Sequence, residues 1–355
     1  MEPVTKEASA GPVPSITVVV CTYNGAQRLP EVLRHLRAQQ TSVPWEVVVV
    51  DNASTDGTAE VARRHWDGAP VALRVVREPE LGLGHARRRG IGEAKFDLIC
   101  FVDDDNWLAP DWLATAAAIM GSHSDVGACG GRTKGVFETE PPAWLPRYQQ
   151  QFVIGKQAEH GGDITETRGH LWGAGLVLRK SAYEELVRHG FQARLTGRTG
   201  GVLISGEDYE LCYALRMAGW RLWYDPAMVL RHFMPSTRIT WGYLQRLNRG
   251  HGATSVDLDP YELALGVSRR SIHRWAGRRW IGEALKSLVK AGVLWGWLRC
   301  RSLFRASEGW RWALTLELNV GRFYELLRRR AAYDSAIREV REAAWIRGGR
   351  PSAPV

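Results

Sequence analysis

From residue 16 the chain alternates two apolar patterns. "ITVVV" (16–20) is β-branched throughout, which predicts a strand covered on both faces. "AQRLPEVLRHLRAQQ" follows, with Leu29, Val32, Leu33 and Leu36 on one helical stripe. The alternation repeats: "WEVVVV" (45–50) and "VALRVV" (71–76) read as strands, each followed by a helix, "GTAEVARRHW" (57–66) and "GLGHARRRGIGEA" (82–94). "DLICFV" (97–102) is a fourth strand. Such alternation predicts an α/β fold, a mostly parallel sheet flanked by helices. Further on, "VGACGGRTKG" (126–135) predicts a strand and residues 136–170 read as loop. "LWGAGLVLRKSAYEELVRHG" reads as strand then helix, "GEDYELCYALRMAGW" (206–220) as a helix, and "RLWYDP" and "MVLRHF" as strands. Beyond about residue 236 the pattern turns helical and rich in Arg and Trp.

In open α/β sheets, ligands sit beyond the carboxyl ends of the strands. Here those ends read "CTYNG" (21–25), "DNASTDG" (51–57) and "DDDN" (103–106), all polar, short in side chain and rich in acids and amides. Turn-forming and helix-capping explain any one of them alone. Three in succession predict a binding site. In an extended segment, residues two apart point the same way. Asp103 and Asp105 would then face one point and hold Mn²⁺ or Mg²⁺, with Asp104 turned elsewhere.

Composition changes the picture at one end. The 355 residues are 45% hydrophobic and 24% charged, as expected of a globular protein, with a formal charge of +9. Residues 266–350 hold nineteen Lys/Arg against seven Asp/Glu, so the basic surplus is local. They also hold Trp275, Trp280, Trp295, Trp297, Trp310, Trp312 and Trp345. Aromatic rings among cations suit the headgroup zone of an anionic membrane, and packing onto the catalytic domain is the alternative. No apolar stretch reaches the ~20 residues needed to span a bilayer. Nothing resembles a nucleic-acid module, so a nucleic-acid partner is not expected. Cys21, Cys100, Cys129, Cys212 and Cys300 are odd in number and widely spaced. They predict reduced buried thiols and a cytoplasmic protein, and the Arg/Trp-rich end predicts a peripheral place on the inner face of the membrane. Residues 1–14 lack the apolar core of a signal peptide and read as a loose tail.

The ordered set "VVVCTYNG", "VDNASTDGT", "LGLGHARRRGI", "VDDDN", "WGAGLVLRK" and "GEDYELCYALRMAGW" resembles the family 2 glycosyltransferases with the GT-A fold. The resemblance covers about 15–235, which reads as the catalytic domain, with 236–350 as a helical extension binding membrane or acceptor. It implies inverting transfer of a sugar from a nucleotide-sugar, UDP-sugar foremost, to a glycan or lipid-linked acceptor of the cell envelope. By the same resemblance Thr22, Tyr23, Asn24, Asp51, Asn52, Arg87, Asp103 and Asp104 meet the donor. Asp103, Asp105 and His232 hold the metal. Asp208 is the base and Glu207 orients the acceptor or the loop, while Trp172, Gly173 and Gly175 are expected on the acceptor side, with core packing the alternative for Trp172. The family often reads A-R-N-x-G where this chain has Ala86-Arg87-Arg88-Arg89-Gly90. A peptide or small-molecule acceptor is one alternative, and a non-catalytic sugar-nucleotide binder is another.

Overall fold

The structure, a computed structural model, describes residues 14–197, 203, 205–267, 278–302 and 308–346, with backbone alone over 298–302. The expectations for residues 1–13, for Trp275 and for the Cys300 thiol lie outside the described residues. Strands β1 (Ile16–Thr22), β2 (Trp45–Asn52), β3 (Leu73–Glu78) and β4 (Leu98–Asp103) alternate with helices α1 (Leu29–Arg37), α2 (Thr58–Trp66) and α3 (Leu83–Glu93). They pair in parallel in the order β3-β2-β1-β4. Ile16, Val18, Val19 and Val20 are wholly buried because helices cover both faces of the sheet. Each such side chain contributes about 1.5–3 kcal/mol relative to exposure.

The other half is mixed rather than parallel. After β5 (Asn106–Leu108), α4 (Trp112–Ser122) and β6 (Val126–Phe137) comes a stretch that reads as loop. It contains a short helix, α5 (Leu145–Tyr148), and a two-residue strand, β7 (Gly162–Asp163). β8 (Val177–Arg179) inserts antiparallel between β4 and β6, followed by α6 (Lys180–Arg188) and α7 (Glu207–Met217). "RLWYDP" and "MVLRHF" are one strand, β9 (Arg221–Met234), whose register against β6 slips between Asp225 and Val229. The slip absorbs Pro226, which cannot donate to a ladder.

β5 pairs antiparallel with β9, setting Asn106 opposite His232, and the Phe233 amide donates to the Asp105 carbonyl at 2.8 Å. That pairing carries the acidic run to the end of the last strand. Helices α8 (Trp241–Ala264), α9 (Arg279–Ser302), α10 (Arg311–Arg328) and α11 (Tyr333–Arg341) form the extension. α8 packs on α7, α10 on α8, and α9 on α10. No described helix is long and apolar enough to cross a membrane. Cys21, Cys100, Cys129 and Cys212 are free and buried, and burial pushes the thiols of Cys21, Cys100 and Cys212 up to about 12. They are core residues, inert as nucleophiles.

Candidate active site

The strand ends open into a cavity of about 900 Å³. One wall comes from the sheet: Thr22 and Tyr23 at the end of β1, Asn52 at the end of β2, and the acids at the end of β4. Glu207 and Asp208 at the start of α7, with Trp172 and Gly173, form the floor. The far wall belongs to the extension, through His251, Thr254, Leu258 and Glu262 of α8 and Leu318 of α10. Asn24, Asp51 and Gly175 do not line it. Asn24 Oδ1 accepts from the Thr55 amide at 2.9 Å, and Asp51 Oδ1 from the Ser54 amide at 3.0 Å. Asn24 therefore ties the two strand-end loops together, and Asp51 braces its own loop. Gly175 has φ of +73°, and a Cβ there would meet the Trp112 ring at 2.5 Å. Its place in the chain is set by packing beneath the site.

The three adjacent acids meet three separate arginines. Asp104 takes a two-pronged bond from Arg28, at 2.9 Å to each oxygen, and a third from the Thr22 hydroxyl at 2.8 Å. Asp103 lies 3.6 Å from Arg87. Asp105 accepts from Arg238 at 2.6 Å and from the Asn106 amide group at 2.8 Å. Asp103 and Asp105 pair with different arginines, because β4 ends at Asp103 and the chain turns before β5 begins. Burial raises the Asp103 carboxyl above its ordinary value, outweighing Arg87. Burial would raise Asp105 too, but His232 and Arg238 overcome it and hold that carboxyl well below the usual range.

Among the described residues no three His, Cys, Asp or Glu side chains converge as a metal cluster. Asp105 and His232 could hold a cation between them: Oδ1 and Nε2 lie 3.5 Å apart at the cavity edge, which Asp103 also lines. Mg²⁺ binds with few protein ligands and completes its shell with water and phosphate, so two donors suffice. Asp103 has Arg87 beside it, and the charges of Asp105 and His232 also act on it.

Arg87 is the hub of the floor. Its guanidinium lies 3.3 Å from Glu207 Oε1 and 3.5 Å from the Gly173 carbonyl, over the Phe101 ring. A Cβ on Gly173 would sit 2.7 Å from the Arg87 guanidinium, so glycine gives the arginine its room. The Gly173 amide donates to Asp208 Oδ2 at 2.7 Å and the Tyr209 amide to Oδ1 at 3.0 Å. Burial, with Glu207 alongside, nevertheless raises the Asp208 carboxyl to about 6 despite Arg87. The second Glu207 oxygen is buried without a hydrogen-bond partner. Trp172 is almost wholly buried, and Arg168 covers its ring at 5.0 Å.

Sequence reasoning missed Arg28, Arg168, Arg238 and the α8 wall. The ion pairs of Arg28 and Arg238 span 76 and 133 residues, and no local pattern marks contacts of that range.

Comparison with known proteins accords with this geometry. The glycosyl transferase family 2 profile matches residues 17–187. The chain is 23% identical over 248 residues to a glucosyl-dolichyl phosphate glucuronosyltransferase of Haloferax volcanii, covering 68% of this chain and 77% of that protein. It is 26% identical over 272 residues to the succinoglycan biosynthesis protein ExoO of Rhizobium meliloti, covering 74% and 70%. Among solved structures, a mannosyltransferase from Pyrobaculum calidifontis, in complex with GDP-Man and Mn²⁺, superposes with a TM-score of 0.54 at 22% identity, over 92% of this chain and 91% of that one. The strand-end cavity, the order of its motifs and the matched profile make this chain a glycosyltransferase of the GT-A fold, with a glycosyl transferase family 2 domain over residues 17–187.

Proposed function

We propose that this enzyme transfers a sugar, with inversion, from a nucleoside diphosphate sugar, UDP foremost, to a hydroxyl of a cell-envelope glycan or lipid-linked acceptor. The observation that carries the reading is one cavity joining cationic and basic groups: Arg28, Arg87, Arg168 and Arg238 share it with Asp208 and Glu207. A diphosphate is a concentrated anion, and preorganised guanidinium groups stabilise charge as it develops on the leaving group. Tyr23, which is 44% exposed at the cavity edge, is available to cover the base. Asp208 takes the proton from the acceptor hydroxyl, since a base must sit within hydrogen-bond reach of that proton. Glu207 turns its unpaired oxygen to a second hydroxyl of the acceptor and orients it. Asp105 and His232 would hold Mn²⁺ or Mg²⁺, which would supply Lewis-acid neutralisation of the diphosphate.

Two relatives support the acceptor class, one named for a dolichyl phosphate sugar and one for a polysaccharide. The basic C-terminal region supports a site of action on the cytoplasmic face of a membrane. Thermal denaturation with UDP, Mn²⁺ and both tests the donor site. A ligand at 100 times its Kd stabilises by about 2.7 kcal/mol, enough to move the midpoint by several degrees. UDP with Mn²⁺ is expected to exceed the two separate shifts combined, and Asp105→Ala should remove only the Mn²⁺ increment. Equal UDP shifts in Mn²⁺ and in chelator would overturn the assignment of Asp105 and His232 to a metal.

A further inference from the structure

α9 carries its polarity inside out. Its inner face buries Glu283 and Ser287 beside Ala284 and Ala291. Glu283 pairs there with Arg322 at 3.0 Å, and Arg322 with Asp259 at 2.7 Å. The outer face shows Leu285, Leu288, Val289 and Val293, which are 43%, 47%, 62% and 68% exposed. Positions 285, 288, 289 and 293 recur at helical spacing, so they form one stripe. A helix that faces water ordinarily has the reverse arrangement. Trp295 is exposed one turn on, and Trp312 at the start of α10 is exposed with Arg311 over its ring at 4.8 Å.

We propose that this stripe of α9 docks on an anionic membrane surface, lying in the headgroup layer rather than crossing it. Charge selects the occupant. Along α9 the sequence sets Arg279, Lys286, Lys290, Arg299 and Arg301 against Glu283 as its one acid; Lys286 pairs with Glu283 and Arg279 with Asp334, so the surplus along the helix rests on Lys290, Arg299 and Arg301. Each cation near an anionic bilayer contributes about 1 kcal/mol. A second copy pairing isologously would bring the same cations against each other instead. The aliphatic stripe and Trp295 supply the apolar part that an interfacial helix buries at the acyl boundary. α9 rests on α10, whose Leu318 lines the cavity, so the docked face and the active site belong to one packed body. The inference deepens the proposed membrane-side acceptor and rests on that reading only for its purpose.

Flotation of the full chain with vesicles tests it, and needs neither donor nor acceptor. The protein is expected to float with phosphatidylcholine vesicles containing phosphatidylglycerol, to remain below with phosphatidylcholine alone, and to be released by salt. Val289→Asp combined with Val293→Asp should reduce flotation at least ~10-fold, with the UDP thermal shift unchanged. Lys290→Glu should weaken it by a smaller factor. Absence of flotation by the native chain, or equal flotation by the double variant, overturns the proposal. So does a concentration-dependent dimer that the double variant abolishes. Flotation that survives while UDP produces no shift would remove the catalytic reading and leave the docking face standing.

Discussion

Replacing Asp208 with Asn is expected to lower kcat by about 10²- to 10⁴-fold while donor affinity stays unchanged. The amide cannot take a proton, yet it keeps the size of the carboxyl, and the arginines of the cavity are untouched. The native enzyme should show a kcat/KM that rises with pH through an apparent pKa near 6, the value to which burial and Glu207 raise Asp208. That rising limb should vanish from the residual activity of the variant. Stability provides an independent readout. A carboxyl held above its unfolded value favours the fold when protonated. Its contribution is therefore full below about pH 4 and is lost as the pH rises to about 6. Moving the group from 3.8 to about 6 is worth up to about 3 kcal/mol. Relative to the native chain, Asp208→Asn should therefore gain up to that amount between pH 4 and pH 8. An Asn variant that turned over at the native rate would remove Asp208 from the chemistry.

The sequence and the structure agree most closely where local chemistry decides. β1, β2 and β4 were legible because a fully buried strand has no polar alternation. The cavity was legible because the fold delivers successive strand ends to one rim. Asp208, Glu207, Trp172 and Gly173 fall on that cavity as the motifs imply, although helix-start electrostatics predict an easily ionised Asp208. Burial and a neighbouring carboxylate outweigh the helix dipole there. A turn inside the acidic run, which the extended-strand argument does not foresee, gives Asp103 and Asp105 different arginine partners. Arg238 was illegible for a global reason, since only the β5–β9 pairing brings "PSTR" beside "DDD". The extension was legible as helical and basic. That α8 walls the cavity was not, because α8 faces the site with His, Thr, Leu and Glu, which carry no motif. α9 was the inverse case: its apolar residues read from sequence as either membrane-facing or core, and the structure turns four of them outward.

Arg87→Ala is expected to have the largest effect on stability of any single change at the site, about 3–5 kcal/mol at pH 8. The guanidinium is almost entirely enclosed, with a side chain only 11% exposed, and it lies between Asp103 and Glu207 with Asp208 close by. Removing it leaves buried carboxylates facing each other without a cation, and water reaches them poorly. Their proton affinities must rise, because the cation that opposed burial is gone. The sign of the pH dependence follows. Carboxyls that titrate at higher pH in the folded variant than in the unfolded chain favour folding when protonated, so the variant recovers near pH 4 and weakens as the pH climbs. Denaturant unfolding of native and variant chains at pH 4, 6 and 8 should show the gap widen in that order. Arg87→Lys should restore part of the loss at pH 8, since an ammonium supplies charge but not the fork that reaches Asp103, Glu207 and the Gly173 carbonyl together. A deficit equal at all three pH values would mean that the arginine acts through its packing on Phe101 and Gly173 rather than through charge. The same variant separates this role from donor binding. If Arg87 acts by holding Asp103 and Glu207, donor affinity should follow the recovery of the fold at lower pH. A residue that contacts the diphosphate directly would leave affinity depressed at every pH.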